Sequence, residues 1–481
     1  MEKNLARPSS SDTPAPASHN SIGMPNLHFI MTKRQPHVRQ PTCLPFISII
    51  ATALVAAITM STNDSTTVHA FSQSIVVIGL NAALQKRFIL PPKSNLEPGN
   101  VHRSQAVETG VGGKGQDVGV ALSCLMKKDE PSDSRKDKVL LAQFLGAGPE
   151  GDTVSQLLAN KFQLSDALTI RNAAPLRTCT TIVGSDCATE LVETSGEITM
   201  EEMESLNAKV EELAKEGGKA SCVCIMGSMP PGCKEDTYAD LTTGLAGKES
   251  LVLIDSVIGL DPLLSALKTN FDGKEGSESG GAVLKLNAAE LCKLAGVAKS
   301  EAERVTMEEL TASSQGFITK YVNAIGALDY LCITDGKYPG YLVEIPAHPT
   351  SSFRTWQLPA VDLTKQAKDG MLYPIGAGDT VAAGTLAAWQ FLHHPSSKTV
   401  GDNFFGVIPS TLGKHLTGVR SEWCNGAKSP EEEKGYQMAT AFAFGLACGS
   451  ASCLQQENSV FEVENAMKFF GGMTKPLLQE S

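Results

Sequence analysis

From Ser74 onward, short runs of aliphatic and β-branched residues alternate with stretches of helical periodicity. The runs are Ile75-Val76-Val77-Ile78, Val139-Leu140-Leu141, Val223-Cys224-Ile225-Met226, Leu251-Val252-Leu253-Ile254, Val283-Leu284 and Tyr330-Leu331-Cys332-Ile333. Helical patterns lie between or after them, at residues 203–216, 301–324 and 437–448. Continuous apolar strands separated by amphipathic helices predict an α/β fold, with a mostly parallel sheet covered on both faces. No internal repeat is present. Segments 87–107 and 178–193 alternate without a partner helix, and predict a small sheet standing off the main one as a lid. Residues 127–138 (dense in charge), 272–281 (rich in Gly, Ser and Glu) and 393–434 (polar and irregular) read as surface insertions on one domain.

The first 73 residues read differently. Residues 1–43 are rich in Ser, Pro and Asn and lack apolar periodicity. Lys33, Arg34 and Arg39 then precede an almost wholly apolar, uncharged stretch from Leu44 to Met60. That stretch is short against the roughly 20 residues of a membrane span. A polar segment ending Val68-His69-Ala70 follows, with the small residues of a cleavage site near 70/71. The expectation is a targeting region over 1–73, with import by the secretory route, to a plastid by preference. A retained signal anchor or secretion is the alternative, and Met31 is a second candidate start.

Apolar content of 42% and few aromatics fit an Ala- and Gly-rich soluble core. The formal net charge of −11 argues against nucleic acid as a partner. Of twelve cysteines none forms a C-x-x-C pair, and most sit among apolar or small neighbours. They read as buried free thiols, with Cys222 and Cys224 on one face of a strand.

The strongest chemical signal is Gly376-Ala377-Gly378-Asp379, which opens the apolar helix Thr380-Val381-Ala382-Ala383-Gly384. The first amides of a helix lack internal partners and carry the positive end of its dipole, and glycines let an anion approach them. An Asp in the same turn can take a proton from a hydroxyl while the amides hold a moving phosphoryl group. The plain alternative is an Asp cap after a Gly turn. Gly110-Val111-Gly112-Gly113-Lys114-Gly115 satisfies a dinucleotide pattern, but no buried strand precedes it, so it reads as a glycine loop presenting one lysine ahead of a helix over 118–126. Asn287 and Glu290 stand one helical turn apart after a strand, as a cap or a cation site. Gly227-Ser228-Met229-Pro230-Pro231-Gly232 follows a strand's carboxyl end, where open α/β sheets bind ligands.

In this order the motifs resemble the PfkB, or ribokinase-like, carbohydrate kinase family over residues 75–470. The carriers are Gly79-Leu80-Asn81-Ala82-Ala83-Leu84, Gly112-Gly113-Lys114-Gly115, Gly146–Asp152, Gly227–Gly232, Lys285–Leu291 and Gly376–Asp379. Gly79–Leu84 and Thr189–Glu193 are most similar to the branch of 1-phosphofructokinases and tagatose-phosphate kinases. The resemblance implies a three-layer ribokinase-like domain over 74–481, whose β lid can serve a homodimer. It implies transfer of the γ-phosphoryl of ATP, with Mg²⁺, to a hydroxyl of a sugar or sugar phosphate. Asp379 becomes the base and the Gly376, Ala377 and Gly378 amides the anion hole. Asn287 and Glu290 organise the metal through water. Asn287, Ser228, Thr334, Gly336 and Gly378 are implied to meet the nucleotide. Asn81, Gln85, Gly112, Gly113, Lys114, Asp117 and Arg177 are implied to meet the acceptor.

Three positions depart from the pattern. Gln85 stands where the branch carries an Asp on a sugar hydroxyl, Asp117 where the loop usually continues to an Asn, and Val192 where the lid motif is polar. Changing the polar set of a hydroxyl-reading site changes the acceptor it takes. The competing expectation is a non-catalytic fructokinase-like protein with a structural or regulatory role in the plastid. A nucleoside kinase and a dinucleotide-dependent oxidoreductase fit the loops less well.

Overall fold

The computed structural model describes residues 74–126, 138–185, 188–271, 280–299, 304–323, 325–367, 371–393 and 407–480. The targeting region expected at 1–73 and most of the insertions at 127–138 and 272–281 lie outside them. Among the described residues, no helix is long and apolar enough to cross a membrane.

Fourteen strands among these residues form two sheets. In chain order they are β1 (Ile75–Asn81), β2 (Ala83–Ile89), β3 (Ala106–Gly112), β4 (Val139–Phe144), β5 (Thr169–Ile170), β6 (Thr178–Val183) and β7 (Ala188–Val192). Then come β8 (Ala220–Met226), β9 (Ala246–Asp255), β10 (Gly281–Asn287), β11 (Tyr330–Thr334), β12 (Gly340–Glu344), β13 (Arg354–Leu358) and β14 (Leu477–Glu480). The main sheet runs β14-β13-β12-β11-β10-β9-β8-β1-β4-β5. It is parallel from β5 to β11 and antiparallel from there to β14. The second sheet, β3-β2-β6-β7, is built from the two segments read as a lid.

Each predicted apolar run is a strand, and the reason is visible in the two cores. Ile75 and Val77 enter the hydrophobic cluster on one face of the sheet, and Val76 and Ile78 enter the cluster on the other. A strand covered on both sides has no polar face to show, so it reads as a continuous apolar run. Cys222 and Cys224 share the first face, and the ten described cysteines are free thiols. Helices Ala377–His393 and Pro430–Ser452 pack closely because Gly384, Gly445 and Gly449 leave no room between them for a side chain.

The structure corrects several boundaries. The lid strands are Ala83–Ile89 and Ala106–Gly112, not 87–107 throughout, because Pro91, Pro92, Pro98 and Gly99 punctuate the span between them. A strand does lead into the glycine loop, since β3 includes Gly110-Val111-Gly112, and the helix after it starts at Lys114 rather than 118. The helix expected over 301–324 is Met307–Lys320, capped by Thr306. The stretch 393–434 is not an irregular insertion throughout: Ser410–Cys424 is a helix that buries Leu412, Leu416 and Trp423, while 394–406 lie outside the described residues. Three wide-spaced apolar positions amid polar ones were too sparse to reveal that face. The antiparallel strands β12 to β14 carried no run strong enough to predict them.

β1 lies within the parallel part, with β4 on one side and β8 on the other. The strand order therefore reverses beside β1, and the crevice outside the carboxyl ends of such strands is where open α/β sheets place ligands.

Candidate active site

A cavity of about 770 Å³ opens at that crevice. The body supplies the ends of β1, β8, β9 and β10, the helix start at Lys114 and the turn Pro374–Gly376. The lid supplies Gln85, Cys179, Glu190 and Val192. Glycines make the floor possible. A Cβ on Gly79 would lie 2.4 Å from the Cα of Gly115, so the end of β1 and the first turn of helix Lys114–Leu125 touch main chain to main chain.

Helix Ala377–His393 points its N-terminus at the cavity. Gly376 precedes it with φ +81°, and a Cβ there would strike Ser459, whose hydroxyl donates to the Gly376 carbonyl at 3.0 Å. Of the amides in this turn, Ala377 N–H donates to Pro374 O and Thr380 N–H to Gly376 O. The Ala377 amide, expected in the anion hole, is therefore engaged, and the open helix-end donors are those of Gly378 and Asp379. Asp379 is buried, and burial raises its carboxyl from 3.8 to about 7; Lys114 opposes the shift and Asp255 adds to it.

Below this turn lies a charge cluster in which Asp255 and Lys285 are buried and Lys114 reaches the surface. Asp255, at the end of β9, accepts from Lys114 Nζ at 2.9 Å and also pairs with Lys285 of the neighbouring strand β10. Burial alone would raise Asp255, but attraction to Lys285 and Lys114 outweighs it and holds the carboxyl below its usual range. Lys114 loses by burial and gains more from Asp255 and Asp379, so it stays charged. Lys285 Nζ would lie 3.6 Å from a Cβ on Gly378, which puts a buried cation directly under the open amides.

Asn287 and Glu290 form a capping box. Asn287 N–H donates to Glu290 Oε2 at 2.9 Å, and Glu290 N–H donates to Asn287 Oδ1 at 2.8 Å. The cap reading is therefore the one the hydrogen bonds show, and both residues also line the cavity. Their donor set fits a hard divalent ion that keeps most of its waters: one carboxylate and one amide oxygen, with no cluster of three ligating side chains among the described residues.

At the lid end, Gln85 is buried and donates through Nε2 to Thr181 Oγ1 at 2.7 Å. Asp117 is buried on helix Lys114–Leu125, and its Oδ1 has no hydrogen-bond partner. Burial, then Asp379, raises Asp117 well above the usual carboxylate range, against the pull of Arg87. Asn81 lines the cavity with both side-chain polar atoms in use: Nδ2 donates to Ser228 Oγ at 3.0 Å, and Ser195 Oγ donates to Oδ1 at 2.6 Å. Arg177 lines it too, donating to the carbonyls of Asn81 at 2.9 Å and Ala82 at 3.3 Å.

The structure thus brings Asn81, Gln85, Gly113, Lys114, Asp117, Arg177, Ser228, Asn287, Glu290, Gly376 and Asp379 to one cavity. Gly112 ends β3 against Gln85, outside the lining. Thr334 pairs in register with Asn287, and Thr334, Gly336, Ala377 and Gly378 are outside the lining. Asp255 and Lys285 were missed as site residues. The signals were there: a carboxylate at a strand's carboxyl end, and a lysine inside the buried run Val283-Leu284-Lys285-Leu286, which needs a partner.

Residues 72–394 match the pfkB family of carbohydrate kinases. Among solved structures, the chain is similar to phosphofructokinase-2 from Escherichia coli in complex with potassium, at 17% identity and TM-score 0.53, covering 83% of this chain and 98% of that one. It is also similar to a possible 1-phosphofructokinase from Thermotoga maritima, at 14% identity and TM-score 0.53, covering 85% and 99%. Likeness at this identity speaks for the shared fold. No curated protein matches the chain.

Proposed function

Since this chain belongs to the pfkB family of carbohydrate kinases, and is a phosphotransferase with an alcohol acceptor, we propose that it moves the γ-phosphoryl of ATP to a sugar hydroxyl with Asp379 as the base. The observation that carries this is the position of Asp379: a buried carboxyl raised to about 7, in the same turn as the open Gly378 and Asp379 amides. A base works best when its pKa lies near the operating pH, and burial has put this one there.

In this reading the acceptor hydroxyl lies between Asp379 and the lid. Its oxygen attacks the γ-phosphorus, the bond from that phosphorus to the bridging oxygen breaks, and ADP leaves. The hydroxyl proton passes to the Asp379 carboxylate. The Gly378 and Asp379 amides donate to the oxygens of the moving group, and Lys285 adds positive charge beneath them. Lys114, held by Asp255, faces the same region. Asn287 and Glu290 would hold Mg²⁺ through water, and the ion when bound neutralises charge on the phosphate oxygens.

The test is ADP formation by the full chain with Mg-ATP across a panel of ketoses, pentoses and their phosphates. An acceptor-dependent signal is expected, with Asp379→Asn lowering turnover about 100-fold or more while nucleotide binding persists. Equal turnover by the variant would remove Asp379 from the role of base.

A further inference from the structure

Arg87 is a buried cation of the lid that stands outside the cavity lining, so it does not face what the cavity binds. On one side its Nη2 pairs with Glu108 of the neighbouring strand β3 at 3.2 Å, in register across the lid. On the other its Nη1 leaves the lid and donates to Asn458 Oδ1 at 3.1 Å. A guanidinium only donates, so this bond fixes which way the Asn458 amide faces. Glu108 is 31% exposed and can be met by water, whereas Asn458 is buried. The bond to Asn458 is therefore the one that ties Arg87 to the body.

Ser459 comes next in the chain. Its hydroxyl donates to the Gly376 carbonyl at 3.0 Å, the same oxygen that takes Thr380 N–H at 2.9 Å in the first turn of helix Ala377–His393. A Cβ on Gly376 would stand 2.5 Å from Ser459 Oγ and 3.4 Å from Asn458 Cβ, so turn and loop touch directly. Ser459 holds φ +57°, a left-handed conformation that persists in a serine where its surroundings impose it. The lid also touches the chain that enters the turn. Ile89 and Val183 pack with Met371 and Tyr373, and Tyr373 N–H donates to Cys453 O at 2.9 Å. The segment entering the turn and the loop pinning it are thus both docked on β2, through Ile89 and Arg87.

We infer that Arg87 is a positioning residue: from the lid, through Asn458 and Ser459, it fixes the Gly376 turn and so the aim of the Gly378 and Asp379 amides. This rests on the kinase reading above. Amides that meet a moving phosphoryl group act within a narrow geometry, and a small displacement lowers turnover more than binding. Arg87 sets the rate without touching the reactants.

The test is steady-state kinetics of the full chain with Mg-ATP and its best acceptor, on Arg87→Met, Ser459→Ala, the double variant and Glu108→Gln. Arg87→Met should lower kcat about tenfold or more, with KM for ATP and for the acceptor unchanged within about twofold. Ser459→Ala should do the same. The double variant should fall no more than about twofold below the worse single one, because both changes break one chain of contacts. Glu108→Gln weakens the pairing inside the lid but leaves the bond to Asn458, and should keep kcat within about twofold of the parent. If Arg87→Met does not fold, Asn458→Ala takes its place in the cycle. A parent-like kcat in either single variant, losses that multiply in the double variant, or an equal loss in Glu108→Gln overturns the inference and leaves the kinase reading standing. A parent chain silent on every acceptor overturns the kinase reading and this inference with it.

Discussion

At the helix-start end of the cavity, around Gly376–Asp379, the chemistry rests on main chain. Two open amides, a turn that only glycine fits at φ +81° and a buried lysine underneath define where negative charge goes. At the lid end it rests on side chains, namely Gln85 and Glu190 of the lid and Asp117 of the body. The first end can bind any phosphoryl group, because helix-end amides read charge and not shape. In the proposed reading the second end would meet the acceptor's hydroxyls, so each side chain there would change what is read. On the proposed function, transfer chemistry and acceptor choice would be built by different means in one cavity. Replacing a lid-end residue should change the substrate, and replacing a helix-end residue should change the rate.

The sharpest break between the two ends is loss of the base. Asp379→Asn removes about 100-fold or more of turnover with every acceptor alike, whereas Asp117→Asn acts on some acceptors more than others. An acceptor-dependent loss in the Asp379 variant would erase the division.

The next effect is on folding. Asp255→Ala leaves Lys285 buried without its partner, and breaking a buried pair from one side costs about 3–5 kcal/mol. Denaturant unfolding should show that loss, and Asp255→Ala with Lys285→Met should recover most of it. A single variant as stable as the parent would mean that the cluster does not hold the helix-start end together.

A smaller effect separates stability from activity at Asp379 itself. Its carboxyl sits near 3.8 in an open chain and about 7 in the fold. Between those values the folded protein keeps a proton that the unfolded chain has lost, so stability falls as pH rises through that window. Asp379→Asn has no such slope. Its melting temperature should match the parent below about pH 4 and exceed it above pH 7. The reverse order would mean that the folded site favours the charged form.

Much of this arrangement could be read from the chain. Both-face burial turns strands into apolar runs, so Ile75–Ile78 and Leu251–Ile254 announced themselves. Close main-chain contacts demand glycine, so Gly79, Gly115 and Gly376 marked the floor and the helix start. Pairings between strands were hidden. Asp255 and Lys285 are 30 residues apart and meet only because Ile254 pairs with Leu284 in register, which puts the next residues side by side. The Ala377 amide shows the other limit. Sequence places it in a helix start, but only the turn geometry gives its hydrogen to Pro374. The lid needed both views: its strands alternate legibly, but that Gln85 spends its amide nitrogen on Thr181 shows only in the fold.

The central claim, that burial has tuned Asp379 to serve as the base, is tested most directly by the pH dependence of kcat/KM for the full chain on its best acceptor, with Mg-ATP saturating. The account gives a limb that rises tenfold per pH unit and levels off above about pH 7, and that is missing from the residual activity of Asp379→Asn. A profile that is already flat between pH 5 and 7, or one that falls there, would contradict it.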